Sequence, residues 1–401
     1  MRITRHRSSD IPFHAEGWSP ALAAVAGALG FGAIAALVLV SLLALADAKL
    51  GASWAFPVFV TSIGAGGAGG LTLKNLNLKR AESRRALNLM FDDQFRTGAQ
   101  LLGGSTESEV IAGAQLLGVL LRESPRHAQA CADLLCARLR MPNPSDRDAE
   151  ERDDLWDQDP PGLRDSIAEA HRLRNSISDA ISRAISADNA PSHLYAVRWQ
   201  FDSARFGNRT RFEGCLFGSD TSFRGCSFPG EVSMTGSSFN GQLEFARINA
   251  ALGLRLGGIR AEGSIVIADS SIVNPAHELA WGIYLENCFA RGVTVERVLV
   301  DGPIHLDTAI VEGDVSVVDC ESSTFSFIDG RCDRSILLSR VAASAYICIR
   351  NTLARKGVDV RNSTAAHEIE VSSVQTLGVV RIEDCKAPLI TRWDSNPTAR
   401  P

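Results

Sequence analysis

The side chains able to do chemistry in this chain are plentiful but poorly grouped. Nine cysteines and eight histidines are spread over 401 residues, and a zinc site would need them in close pairs. Cys131 and Cys136 fall five apart on a predicted helix, a poor spacing for zinc, and no HExxH or close histidine pair occurs. Cys215 and Cys226 stand beside Phe217 and Phe228. Cys288, Cys320, Cys332, Cys348 and Cys385 also fall in or beside apolar repeat positions, where a thiol acts as a small hydrophobe in a reducing compartment. His305, Asp307, Asp314 and Asp319 could gather on neighbouring coils of a stacked fold. Gly64-Ala-Gly-Gly-Ala-Gly69 matches the dinucleotide-binding GxGxxG in form only, because no strand, helix or distal acid frames it. No catalytic, metal or cofactor site emerges.

What could position these residues is a rhythm of eleven. An apolar-x-apolar triplet recurs as Trp199/Phe201, Thr210/Phe212, Thr221/Phe223, Val232/Met234, Leu243/Phe245, Leu254/Leu256 and Ile265/Ile267. After one interruption it resumes at Ile283/Leu285 and continues to Val380/Ile382. Side chains two apart share one face of a strand, so each triplet is a short strand. A short fixed period marks a solenoid whose units bury their apolar face only by stacking. Gly253, Gly282, Gly292, Gly357 and Ser335 precede triplets and read as turn positions. A further apolar residue follows at Phe206, Phe217, Phe228 and Phe239, giving steps of five and six. That suits a four-sided coil of two units, about eight coils and a rod about 40 Å long; a larger coil of three units fits the spacing as well.

Arg211-Phe-Glu-Gly-Cys-Leu-Phe217 and Ser222-Phe-Arg-Gly-Cys-Ser-Phe228 resemble the runs of bacterial pentapeptide-repeat proteins, with a small residue two places before a central Phe or Leu. The resemblance covers residues 198–245 and implies a right-handed, four-sided β-helix. Beyond it the eleven-residue period continues without Ala-Asp/Asn-Leu quintets. The expected fold class is mainly β, a β-solenoid over residues 196–392.

The N-terminal part reads differently. Ala21–Ala46 is an uncharged run of 26 residues, more than the ~20 that cross a bilayer, and too long for a signal-peptide core. A second run, Leu50–Leu73, holds Pro57 and the glycines of 64–70. Together, residues 21–73 predict a transmembrane hairpin whose Gly66 and Gly70 allow close helix packing. Arg2, Arg5 and Arg7 precede it, within a basic tail of residues 1–20, and Lys74, Lys79, Arg80, Arg84 and Arg85 follow. Basic flanks lie inside, which puts the repeats in the cytoplasm and localises the chain to the cell membrane.

Residues 74–140 predict an α-helical juxtamembrane module. A capping box joins Thr106 and Glu109 ahead of Val110, Ala114, Leu117 and Leu121. A second helix is expected from Ser124-Pro125, with Ala128, Cys131, Leu135 and Leu139 on one face. The order of spans, basic helix, Gln94–Gly103 segment, helix pair and repeats resembles a recurring bacterial arrangement, and it implies a scaffold. An acidic, Pro-containing linker (141–162) follows, then a polar helix within 163–195 expected to cap the first coil, and, after the repeats, a tail at 393–401.

A net charge of −5 favours neither nucleic-acid binding nor an acidic DNA mimic. Residues 195–401 carry 24 acids and 21 Lys/Arg, a net of −3, which is the mixed surface of a solvated solenoid. The interruption at 273–281 holds His277, Glu278 and Trp281, the candidate interaction residues, since an irregular loop on a rigid frame is where recognition concentrates. The expected function is therefore a non-catalytic scaffold, anchored in membrane lipid by two spans and binding an unidentified protein. The alternatives are the gyrase-binding DNA mimic known among pentapeptide-repeat proteins and an exported polysaccharide-active β-helix.

Overall fold

The computed structural model describes residues 55–142, 161–273 and 282–394. The expected first span (21–46), most of the acidic linker, and His277, Glu278 and Trp281 lie outside them. The chain divides after Met90 into two units. In the first, the described residues form the leading part of helix α1 (Ala55–Leu102). Among the described residues no helix is long and apolar enough to cross a membrane. The expected hairpin of residues 21–73 is therefore unsupported: residues 21–54 lie outside the described residues, and none of the described helices meets the requirement for a span.

The second unit holds the repeats, and its pairing decides the coil. Trp199 pairs with Thr221, Thr221 with Leu243 and Leu243 with Ile265, always parallel. Thr210 pairs with Val232 and Val232 with Leu254 on another side. Each coil therefore consumes two units, which excludes the three-unit coil. The solenoid has about eight turns. Four sides follow one another, opening at Trp199, Phe206, Thr210 and Phe217, and are called sides 1 to 4. Sides 1 to 3 join into a 21-stranded sheet because the strands Val315–Ile328 and Ser335–Arg350 run round corners unbroken. Side 4 is a separate 7-stranded sheet.

Within a unit the buried positions are the first, third, sixth and eighth, as in Leu243, Phe245, Ile248 and Ala250. The rhythm is not strictly eleven. Ile283 pairs with Ile304 and Ile304 with Phe325, 21 residues apart, and a register shift after Ser322 absorbs the difference.

Stacking at strand spacing puts like over like. Phe201, Phe223 and Phe245 form one column with centroids 4.7 and 4.9 Å apart and rings within 11° of parallel. Phe206 on Phe228 and Phe217 on Phe239 repeat the 4.7 Å contact. That is the strand separation itself, which aligns offset rings at no cost in backbone geometry.

The corners reveal a signal that the triplets hide. Every unit places one left-handed residue four places after its first inward side chain, from Ser203 (φ 60) and Gly214 (φ 59) to Ser373 and Asp384 (both φ 53). Gly, Asn and Asp fill most of these corners, the residues for which this conformation costs least. Gly282, which precedes a triplet, serves another purpose. A Cβ on Gly282 would stand 1.8 Å from the Pro303 carbonyl oxygen, so close approach of the next coil excludes a side chain there.

The first coil is closed on all four sides. Helices α2 (Glu107–Glu123), α3 (Ala128–Arg140) and α4 (Pro161–Ala184) share one buried cluster with it. The Thr106/Glu109 capping box forms, whereas α3 starts at Ala128 and residues 125–127 are a turn. On side 1 the Gln129 amide imitates a strand: its Oε1 accepts from Arg198 N–H (2.9 Å) and its Nε2 donates to Arg198 C=O (3.0 Å). On side 2 Arg205 N–H donates to the Leu139 carbonyl, and on side 3 Arg209 N–H donates to Asn175 Oδ1. On side 4 Leu216 N–H donates to Ile185 C=O and Ala187 N–H to Gly214 C=O. Arg122 reaches the carbonyls that end α4, bonding Asp188 O at 2.6 Å.

Phe223→Ala removes the middle ring of the column and is expected to cost about 3–5 kcal/mol of stability, measured by denaturant unfolding of the native chain.

Candidate functional site: the outer walls and corners

Of the four side chains expected to gather, two meet. His305 lies on the outer wall of side 3, beside the Tyr284 ring of the coil below (centroids 5.4 Å apart). Its Nδ1 is 2.6 Å from Ser326 Oγ, and Ser326 donates to Asp307 Oδ1 at 2.8 Å. Asp307 Oδ1 also accepts from Ile328 N–H at 3.0 Å. A serine, a histidine and an aspartate in contact suggest a nucleophile relay, but the order is wrong. In a relay the imidazole takes the serine proton and the carboxylate holds the far ring nitrogen. Here the serine gives its proton straight to the carboxylate, so the imidazole is left as donor to Ser326.

The same bonds recur without any histidine. Ser222 donates to Asp202 Oδ1 at 2.6 Å, with Arg224 N–H on the same oxygen, and Ser233 donates to Glu213 Oε1 at 2.7 Å. An acid on one coil thus ties down a hydroxyl on the next, and His305 decorates one such tie.

Asp314 and Asp319 lie elsewhere. Asp314 accepts from Ser335 N–H at 3.0 Å and sits 3.7 Å from Arg334. Asp319 occupies a left-handed corner between sides 1 and 2, in a column of alternating sign formed by Arg247, Asp269, Arg297, Asp319 and Arg340. Arg297 forks onto Asp269 and Arg340 onto Asp319, with Nη2–Oδ2 distances of 3.1 and 2.7 Å. The Arg297 hydrogen bond holds the Asp269 carboxyl below its ordinary value, and that of Arg340 does the same for Asp319. On side 4 Asp333 is likewise lowered, first by Arg331 at 2.8 Å, with Arg355 at 3.3 Å.

The thiols form the inner counterpart. At the sixth position of a unit a small polar side chain bonds the carbonyl of the coil below. Cys226 Sγ donates to Phe201 O (3.0 Å), Thr352 Oγ1 to Phe327 O (2.9 Å) and Ser237 Oγ to Phe212 O. Burial pushes Cys226 and Cys288 up to about 12 and Cys215 and Cys320 to about 11. Such thiols are poor nucleophiles and poor metal ligands. Cys348 points outward on side 3, where burial and then Glu370 raise it to about 12; its Sγ–Oε2 distance is 3.5 Å. All nine cysteines are free, and no group of His, Cys, Asp and Glu suited to a metal occurs among the described residues.

One cluster escaped the sequence reading. Asp92 Oδ1 is 2.8 Å from His127 Nε2, and His127 Nδ1 is 2.8 Å from Ser124 Oγ. Phe95 stacks on the imidazole at 5.3 Å and Arg126 approaches Asp92 at 3.6 Å. This is the connectivity of a hydrolytic relay, yet Ser124 ends α2 and is only 2% exposed, closed to any substrate. It fastens the end of α1 to the α2–α3 turn. Asp92 lies 35 residues from His127, so no local window pairs them.

Parallel four-sided coils with these ties define a β-solenoid, and its Phe-lined part is similar to a known repeat. Residues 201–249 match the family model of pentapeptide repeats, in nine copies. No curated protein and no solved structure matches the chain.

Two measurements check this account. Asp269 and Asp319 titrate lower when folded than when unfolded, so their contribution is present above the ordinary carboxylate range near pH 4. It is lost as pH falls through their lower folded values. The double variant Arg297→Gln/Arg340→Gln should lower the melting temperature at pH 7, approach the unsubstituted protein progressively as the pH falls below the ordinary carboxylate range, and lose the difference in about 1 M salt. A thiol-specific reagent at pH 8 should leave the seven buried cysteines unmodified until denaturant is added; rapid native labelling of Cys226 would contradict the buried ladder.

Proposed function

We propose that this protein is a non-catalytic scaffold that presents the walls of a β-solenoid to a protein partner from the cytoplasmic face of a membrane. The observation that carries the scaffold reading is where the reactive side chains spend their bonding capacity. Ser326, Asp307, Cys226, Thr352 and Asp319 are each engaged with the neighbouring coil, so they hold shape rather than wait for substrate. A solenoid is a rigid, extended surface suited to recognition along its length.

The membrane reading rests on sequence. The 26 uncharged residues Ala21–Ala46 exceed what a bilayer requires, and the basic residues from Lys74 to Arg85 favour a cytoplasmic exit. His277, Glu278 and Trp281 remain the first place to look for partner contacts, as the interruption in a regular wall.

Fusions at Pro401 should be active with a cytoplasmic reporter and silent with one that needs export, and the chain should leave membranes with detergent but not with alkaline carbonate. Export of the reporter would refute the topology. A cross-linked partner recovered from membranes should be lost when residues 274–281 are replaced by a short Gly/Ser linker while the melting temperature is retained; unchanged recovery would move the contact to another wall.

A further inference from the structure

On side 4 most charges are spent on their neighbours. Glu262 pairs with Arg260 at 3.0 Å, and Asp333 takes Arg331 at 2.8 Å and Arg355 at 3.3 Å. Arg291 lies on the same side, is exposed, and is held by no ion pair among the described residues. It borders an open groove of about 600 Å³ at the corner between sides 4 and 1.

A glycine opens that groove. Val293, Val315 and Ile336 follow one another on side 1 of successive coils, so the residues two places before them, Arg291, Gly313 and Arg334, form one corner column. Gly313 carries no side chain because a Cβ there would stand 2.1 Å from the Arg291 carbonyl oxygen. The two arginines therefore leave the backbone two strand spacings apart, about 9.6 Å, with no side chain between them in the column. Arg334 is loosely held, 3.7 Å from Asp314. Both guanidinium groups can close on a single carboxylate placed over Gly313.

The rest of the lining says what carries that carboxylate. Glu312 and Asp314 border the groove as well, with the hydroxyls of Ser264 and Thr294. A bare anion would be opposed by the two acids, whereas a peptide brings backbone N–H donors for them along with an acidic side chain for the arginines. Beside the groove, Phe289 pairs with Ile310 of the next coil, and Ile310 is 46% exposed. Arg260 covers the Phe289 ring at 5.1 Å, which closes that face to a stacking sugar. Ile310 is left as a seat for an apolar side chain. Phe289 and Arg291 stand two residues apart on side 4, and alternate side chains of an extended chain repeat every ~6.6 Å. An extended peptide laid along side 4 thus sets one side chain on Ile310 and drops the one two places on into the groove.

We propose that the corner groove between sides 4 and 1 binds an extended peptide of a partner protein in which an apolar residue stands two places from an acidic one. Arg291 and Arg334 hold the acid, and Ile310 seats the apolar side chain. This rests on the scaffold reading and names the chemistry of its partner. A fluorescein-labelled Leu-Ser-Glu peptide flanked by glycine and serine should gain anisotropy when titrated with the full chain in detergent micelles. Arg291→Gln/Arg334→Gln should weaken binding at least about 5-fold, since close charge pairs across interfaces couple, with the melting temperature retained. Ile310→Ser should weaken it without removing a charge, and a Leu-Ser-Gln peptide should bind no better to the unsubstituted chain than to the double variant. Arg224→Gln, on side 1 and paired with Glu244, should leave the affinity unchanged. Absence of binding, or binding indifferent to Arg291 and Arg334, would overturn the proposal. So would inorganic phosphate or polygalacturonate binding at these arginines while the peptide does not, which would assign the groove to an anion or a glycan. A membrane partner cross-linked as well by the double variant as by the unsubstituted chain would remove this site and leave the scaffold reading standing.

Discussion

The parallel ladder between coils is the interaction on which the second unit depends. It holds successive coils at strand separation and in register, so a residue meets its counterpart 21 or 22 places on, or 28 or 29 where the interruption at 273–281 intervenes. Aromatic columns, close glycine contacts and left-handed corners are consequences of that spacing. Phe201, Phe223 and Phe245 can stack because the backbone has already set their distance. Gly282 lacks a side chain because the Pro303 carbonyl arrives where its Cβ would be.

The ladder also decides what the polar residues do. Asp202, Glu213 and Asp307 each receive a hydroxyl from the coil above, and Cys226, Ser237 and Thr352 each give a proton to a carbonyl of the coil below. A buried carbonyl without a partner costs about 1–3 kcal/mol. The small polar residue two places before the central Phe therefore has a physical role: it is short enough to lie inside the coil and polar enough to serve the backbone.

A ladder has ends, and each end needs an answer. At the first coil the helices supply it, with the Gln129 amide standing in for a strand and Arg122 gathering the carbonyls at the end of α4. Nothing in the sequence of α3 advertises Gln129 as a strand mimic, because its partner Arg198 is 69 residues away.

The sequence by itself determined the period, the short strands, the inward side chains of every triplet and the resemblance to pentapeptide repeats over the Phe-rich part. All of these are local patterns, legible because side-chain alternation and burial act over a few residues. Only the tertiary structure decided that two units make a coil, that Asp314 and Asp319 part from His305, that Cys348 faces outward, and that Asp92 meets His127. Those outcomes depend on which residues the stacking brings together across 20 to 70 positions, and the ladder register that does so is a property of the closed coil rather than of any segment within it.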